Sequence, residues 1–326
     1  MEYRIPENLG CVLEFKLSPR EEIFLSEMPT QTVRGAFGAV LKDKLCVNKS
    51  GDCLQCMIRH GCVYSNTFET PQRLIPTLYK GMDAPPRPYI VHVPLSRKAH
   101  YRVGEQLIFH LTLIGESMQW LQYYVYTILE LGERGLGKSR GKFALESVRE
   151  INPFLKSSRK LYDPVKQMLT GQPKGVGKAQ VDKAAKNMKG DGYLVIDFDT
   201  PIRIKHNGNI LNRIDFDPLL RHLVRRQAQL FYFFNGFELK LDFPGYFHLA
   251  SEITKEKDDM IPVDQKRYSG KQHQIVRMGG PIGRMAFRNS DLDIFLTPLL
   301  VGQLYHVGKG ATFGLGHYTI SRRDEI

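Results

Sequence analysis

Histidines, lysines and a tyrosine beside glycine-rich basic turns are the residues of this chain best suited to chemistry on a phosphodiester. RNA can be cut without a metal. A base takes the proton of a 2′-hydroxyl, the oxygen attacks the adjacent phosphorus, an acid protonates the leaving 5′-oxygen, and a cation steadies the charge. Histidine suits the base or the acid near neutral pH. His60 lies among cysteines beside Tyr64, and His306 abuts a glycine-rich run. These two are the candidate acid or base, with Tyr64 assisting and Lys42, Lys44 or Lys309 stabilising charge. A two-metal nuclease needs clustered carboxylates. Asp291 and Asp293 are close, but no further acid near them completes such a site.

The run Val307 to Tyr318 holds Gly308, Gly310, Gly314 and Gly316. Without Cβ atoms the backbone can curve tightly and bring N–H groups to a phosphate or a base edge. His306, Thr312 and His317 add donors, and Phe313 can pin the loop or stack a base. A second basic run, Gly132 to Phe143, carries Lys138, Arg140 and Lys142. Arg34, with Arg221, Arg225 and Arg226 on the outward face of a later helix, completes the candidate RNA-binding set. Neither run lies between an early strand and a helix opening, so neither is a dinucleotide or Walker motif.

Four of the five cysteines form the pattern Cys46-x6-Cys53-x2-Cys56-x5-Cys62. Thiolates at such spacing favour a closed tetrahedral zinc site, so a structural zinc is expected, with free thiols, a redox pair or an iron–sulfur cluster as alternatives. Four thiolates leave no open position, so no catalytic metal is expected there.

Lys plus Arg is 46 against 34 for Asp plus Glu, a formal net charge of +12. That balance suggests a polyanion partner. Hydrophobic residues make up 42% of the chain, which excludes wholesale disorder. No secretion signal opens the sequence and no apolar run reaches the ~20 residues of a membrane span, so a cytoplasmic protein is expected.

These residues need elements to hold them. Strands are expected at 10–16, 89–95, 106–114, 143–149, 193–198 and 283–288, with helices over 30–45, 117–133, 216–234 and 291–305. Residues 153–190 hold nine Lys or Arg against two Asp and read as a basic, partly mobile connector. The result is an α+β chain with a faint internal repeat: strand, helix, then helix, glycine-rich basic loop and strand. It fits two split βαβ domains, 1–152 and 191–326, joined by 153–190.

The stretch Leu299 to Gly316, LLVGQLYHVGKGATFGLG, closely resembles the C-terminal signature of the CRISPR-associated endoribonuclease family of the RAMP superfamily. Arg34-Gly35-Ala36-Phe37-Gly38, the cysteine cluster with Tyr64 and Phe68, Gly135 to Phe143, Arg267-Tyr268-Ser269 and Met278 to Gly283 match as well, so the resemblance spans nearly the whole chain. It implies two tandem ferredoxin-like (RRM-like) domains with a Cys-rich insertion at 46–62. It implies binding of CRISPR repeat RNA and metal-independent cleavage of the precursor to a 2′,3′-cyclic phosphate. It also implies partnership with a CRISPR effector complex. Family members often carry a catalytic histidine in or just after the first helix, whereas residues 30–59 contain none. A non-catalytic repeat-RNA-binding subunit is therefore the alternative.

Overall fold

The computed structural model describes residues 2–48, 51–70, 82, 85–94, 98–206, 209–269 and 274–326. The chain is a mixed α+β protein with two compact units. The first comprises Asn8–Val176 and Phe233–Asn235; the second comprises Met1–Glu7, Gly177–Tyr232 and Gly236–Ile326.

The first unit opens with β1 (Asn8–Pro19), whose alternate residues Cys11, Leu13, Phe15 and Leu17 are buried. Helix α1 (Pro29–Leu45) starts with proline, where a missing N–H has no consequence. Its Val33, Phe37, Val40 and Leu41 form the buried stripe. Then come β2 (Tyr89–His92), β3 (Leu107–Ile114), α2 (Leu121–Arg134), β4 (Phe143–Asn152) and β5 (Ser157–Lys160). The sheet order is β2-β3-β1-β4-β5, with all neighbours antiparallel. Strand β2 ends at His92, and Leu95 of the expected strand lies outside the described residues. A single core joins sheet and helices through Phe15, Phe37, Leu111 and Tyr124.

The second unit contains α3 (Lys178–Met188), β6 (Tyr193–Phe198), most of α4 (Phe216–Asn235), α5 (Phe243–Ser251), β7 (Lys255–Asp258), β8 (Gly280–Arg288), α6 (Leu296–Tyr305) and β9 (Tyr318–Arg323). Its sheet order is β7-β8-β6-β9, again antiparallel. With β5 of the first unit and α3 and α5 of the second set aside, each unit runs strand, helix, two strands, helix, strand, and inserts its third strand beside its first. The periodicity of α4 places Leu220, Leu223, Val224 and Phe231 in the interior, where they are found. Helix α5 was not expected. Its signal was Asp242 before a proline in the first turn: the Asp242 carboxylate accepts the Gly245 N–H at 3.3 Å. The basic stretch 153–190 contains β5, a small hairpin at 162–169 and α3, which buries Val181 and Ala185. Among the described residues no helix is long and apolar enough to cross a membrane.

Candidate functional site

The glycine-rich loop between α6 and β9 is built by backbone hydrogen bonds. Lys309 N–H donates to the Arg203 carbonyl at 2.8 Å, Gly316 N–H to Pro201 at 3.0 Å, and Val307 N–H to Gly316 at 3.0 Å. Phe313 and Gly314 donate to Gly310 and Ala311. These amides serve the loop's own shape and its seating on Pro201–Arg203, so they are not donors for a phosphate. Gly308 has φ +82°, and a Cβ there would stand 2.6 Å from the Arg203 carbonyl oxygen, which is why the position is glycine. Gly314 and Gly316 are buried, Gly308 and Gly310 half-buried, and Lys309 exposed.

The loop in the first unit has the same construction. Gly135-Leu136-Gly137-Lys138 follows α2 as His306-Val307-Gly308-Lys309 follows α6. Lys138 N–H donates to Phe24 at 2.9 Å as Lys309 N–H does to Arg203, and Leu136 N–H donates to Gly141 at 2.9 Å as Val307 N–H does to Gly316. The residue ending each helix donates its N–H back into that helix at 2.8 Å. It has φ 85°, ψ 156° at Gly135 and φ 56°, ψ 172° at His306. That region belongs almost wholly to glycine, and non-glycine residues held there cluster at functional sites. The second unit therefore places a histidine where the first uses glycine.

His306 is 3% exposed, with Nδ1 3.3 Å from the Leu315 carbonyl. Its ring centroid lies 4.9 Å from that of His317. His317 Nδ1 is 2.7 Å from the Asp199 carboxylate, and its backbone N–H donates to Thr200 Oγ1 at 2.8 Å. Asp199 thus fixes the His317 proton on Nδ1 and makes Nε2 the proton-accepting nitrogen. The sequence marked His317 only as a donor. Nothing in it signalled that Asp199, at the end of β6, meets β9 across the sheet, where Asp197 pairs with Thr319.

The arginines of α4 divide. Arg225 is exposed, and Arg221 pairs with Asp217 at 2.7 Å and covers the Phe247 ring. Arg226 does not face outward as expected. It turns in, its Nε donating to the Tyr305 carbonyl at 2.7 Å, because its position on α4 lies against the end of α6. Burial pushes its pKa down to about 10, so it stays cationic at neutral pH.

In the first unit, a cavity of about 430 Å³ on α1 is lined by Arg34, Lys42, Tyr64 and Phe68. The Arg34 guanidinium lies over the Phe68 and Tyr89 rings, and Lys42 Nζ lies 5.3 Å from the Tyr64 centroid. Burial pushes the Tyr64 hydroxyl up to about 12, so it is a proton donor at neutral pH and not a base. His60 lies outside this cavity, exposed, accepting from Arg59 Nε at 3.1 Å. Lys44 is exposed and paired with Glu130. Lys138, Arg140 and Lys142 are exposed along the first glycine loop.

The zinc expectation for Cys46, Cys53, Cys56 and Cys62 is overturned. The four line one small cavity as free thiols, and among the described residues no three bring their sulfurs within 4.8 Å of one another. A tetrahedral site requires that approach. Instead the Cys46 thiol donates to the Asn48 carbonyl at 3.3 Å. The metal-capable side chains that do gather are histidines, His306 and His317 among them, and no cysteine.

A family model described as the CRISPR-associated endoribonuclease Cas6 matches residues 196–318, and one described as an N-terminal domain matches residues 10–174. A chain of the Cas6-RT-Cas1–Cas2 complex superposes with a TM-score of 0.58 at 13% identity, covering 98% of this chain. This chain spans 47% of that one, about half its length. A Cas6 product complex gives 0.56 at 12% identity, covering 96% of this chain and 100% of the other. At such identities the likeness is one of fold. An uncharacterized protein of Archaeoglobus fulgidus is 24% identical over 291 residues, 88% of this chain and 89% of its own length. Over residues 196–318 the chain is similar to the CRISPR-associated endoribonuclease Cas6 family.

Proposed function

We propose that this protein cuts CRISPR repeat RNA within precursor transcripts, by metal-independent attack of a 2′-hydroxyl, to release guide RNAs. The observation that carries the reading is the His306–His317 pair, 4.9 Å between centroids, with Asp199 holding His317 at 2.7 Å. His317 Nε2 takes the 2′-hydroxyl proton. The 2′-oxygen bonds to phosphorus as the P–O5′ bond breaks, and protonated His306 gives its proton to O5′. The products are a 2′,3′-cyclic phosphate and a 5′-hydroxyl, and exposed Lys309 is placed to offset the charge that develops on the phosphate.

The strand orders support two tandem ferredoxin-like domains, bounded near 1–152 and 191–326, with 46–62 an insertion after α1. We place the activity in the cytoplasm, beside effector-complex partners. The test is incubation with the repeat RNA encoded beside the gene, with and without EDTA. Cleavage in EDTA, blocked by a single 2′-deoxy substitution and slowed at least about 100-fold in His317→Ala, is expected. Absence of product under both conditions refutes the enzyme.

A second reading, a non-catalytic holder of the repeat, has one observation of its own. Helix α1 carries no histidine, and its cavity offers Arg34, Lys42 and ring faces, a set that binds RNA without cutting it. Tight binding of the repeat without product favours it.

A further inference from the structure

Arg203 follows β6 on the extended segment behind the second glycine loop, where it bridges Gly308 and accepts the Lys309 N–H. Its side chain runs past Gly280, where a Cβ would stand 3.2 Å from Arg203 Cγ. It ends at Met278, whose sulfur takes Nη1–H at 3.5 Å. Met278 also reaches the loop, since a Cβ on Gly310 would lie 3.3 Å from its methyl carbon. The Met278-Gly279-Gly280 motif is thus the bed on which this side chain lies, against the Gly308–Gly310 turn.

The bed gives the charge almost nothing. A thioether is a weak acceptor. Among the described residues Arg203 Nε, closed to solvent, has no hydrogen-bond acceptor, and no carboxylate is paired with the guanidinium. Burial alone lowers its pKa, with no acidic neighbour contributing. A desolvated, unpaired cation costs a fold stability. Guanidinium is also the side chain whose fork fits phosphate oxygens.

We propose that Arg203, with exposed Lys309 on the adjoining turn, is a binding site for one phosphodiester of RNA. The site rests on the RNA reading above for the source of its phosphate, and it binds the strand beside the histidine loop. Arg203 is its half-buried ligand and Lys309 its solvent-facing one.

Arg203→Met and Arg203→Lys in the full chain test it. The first arm measures binding of an uncleavable 2′-deoxy repeat RNA across a salt series. Arg203→Met is expected to weaken binding about tenfold and to flatten the slope of log K against log salt by about 0.7, one phosphate contact on a single strand. Arg203→Lys restores most of that slope. The second arm measures melting with and without inorganic phosphate. Without ligand, Arg203→Met melts above the wild type, because an unpaired charge has gone; phosphate raises the wild-type melting temperature more than the variant's. Unchanged RNA affinity and slope in Arg203→Met overturns the site, as does a ligand-free Arg203→Met protein that melts below the wild type, which makes Arg203 a structural prop. If the wild type has no affinity for repeat RNA, the RNA reading fails, and the phosphate arm decides the anion site: stabilisation lost in Arg203→Met keeps it, and equal or absent stabilisation removes it.

Discussion

Replacing His306 by glycine and by alanine separates what its backbone costs from what its ring does. Both variants lose the Nδ1 contact with the Leu315 carbonyl, about 1 kcal/mol, and the packing of a ring that is 3% exposed. Those losses cancel in the comparison. What remains is a Cβ held at φ 56°, which costs an L-residue roughly 1–2 kcal/mol and costs glycine nothing. Against this stands the larger unfolded-state entropy of glycine, about 0.4–1 kcal/mol. His306→Gly is therefore expected to be more stable than His306→Ala by about 0.8 kcal/mol (up to about 1.6), the reverse of the usual order within helices. Urea unfolding of both variants, followed by circular dichroism at equal slope, reads the difference as a midpoint shift. Neither variant cleaves repeat RNA. An alanine variant as stable as the glycine variant, or more so, refutes strain at His306 and with it the inference that the histidine is held there for chemistry.

Asp199→Asn removes the carboxylate from His317 Nδ1, 2.7 Å away; Asp199 is 44% exposed, so we discount the bond to about 1–2 kcal/mol, and single-turnover cleavage should slow about 10–30-fold with RNA affinity little changed. A wild-type rate in that variant would remove Asp199 from the reaction. Gly316→Ala drives a Cβ onto the Val307 carbonyl at φ +65° and should lower stability by well over 1 kcal/mol, whereas Gly104→Ala, at φ +87° with nothing within 4 Å, suffers strain alone; equal melting temperatures would deny the close approach. Burial pushes Tyr64 and Tyr89 up to about 12, and Tyr124, Tyr246, Tyr305 and Tyr318 higher. Above about pH 10 the unfolded chain releases these protons first, so stability should fall with rising pH by up to about 1.4 kcal/mol per pH unit for each tyrosine. A melting temperature unchanged between about pH 9 and about pH 11 would contradict that burial.

Local pattern carried much of the fold. The stripe Val33, Phe37, Val40, Leu41 and the run Leu107–Ile114 have periods that only α1 and β3 satisfy. The strand β7 and helix α5 escaped notice, because Lys255–Asp258 is almost wholly exposed and has no apolar face to betray it, and α5 is short. The site was legible where neighbours in sequence are neighbours in space, as with His306 and its glycine loop. It was not legible where sheet pairing does the joining, since 118 positions separate Asp199 from His317. The cysteine spacing misled because spacing permits a zinc geometry without closing the loop around one. Arg226 misled because a helical period says which side of α4 is polar and not that the end of α6 covers it.

The contrast between the two glycine loops also bears on the proposal that the chemistry falls in the second unit. Each needs only a carbonyl from the segment behind it and a left-handed residue after its helix. The first unit meets both demands at low cost, with Phe24 stacked on His100 at 4.2 Å and Gly135 at φ 85°. The second meets them with Arg203, which among the described residues has no carboxylate partner in its bed of glycine and thioether, and with His306 in glycine's conformation. Both expensive choices sit where the scaffold requires no particular side chain, so the fold alone does not account for either. Making the second loop resemble the first, with Arg203→Met and His306→Gly together, should give a protein that melts above the His306→Gly single variant and neither holds nor cuts repeat RNA as the parent does. A double variant that melts below that single variant would mean that Arg203 supports the fold, and the contrast between the loops would then say nothing about function.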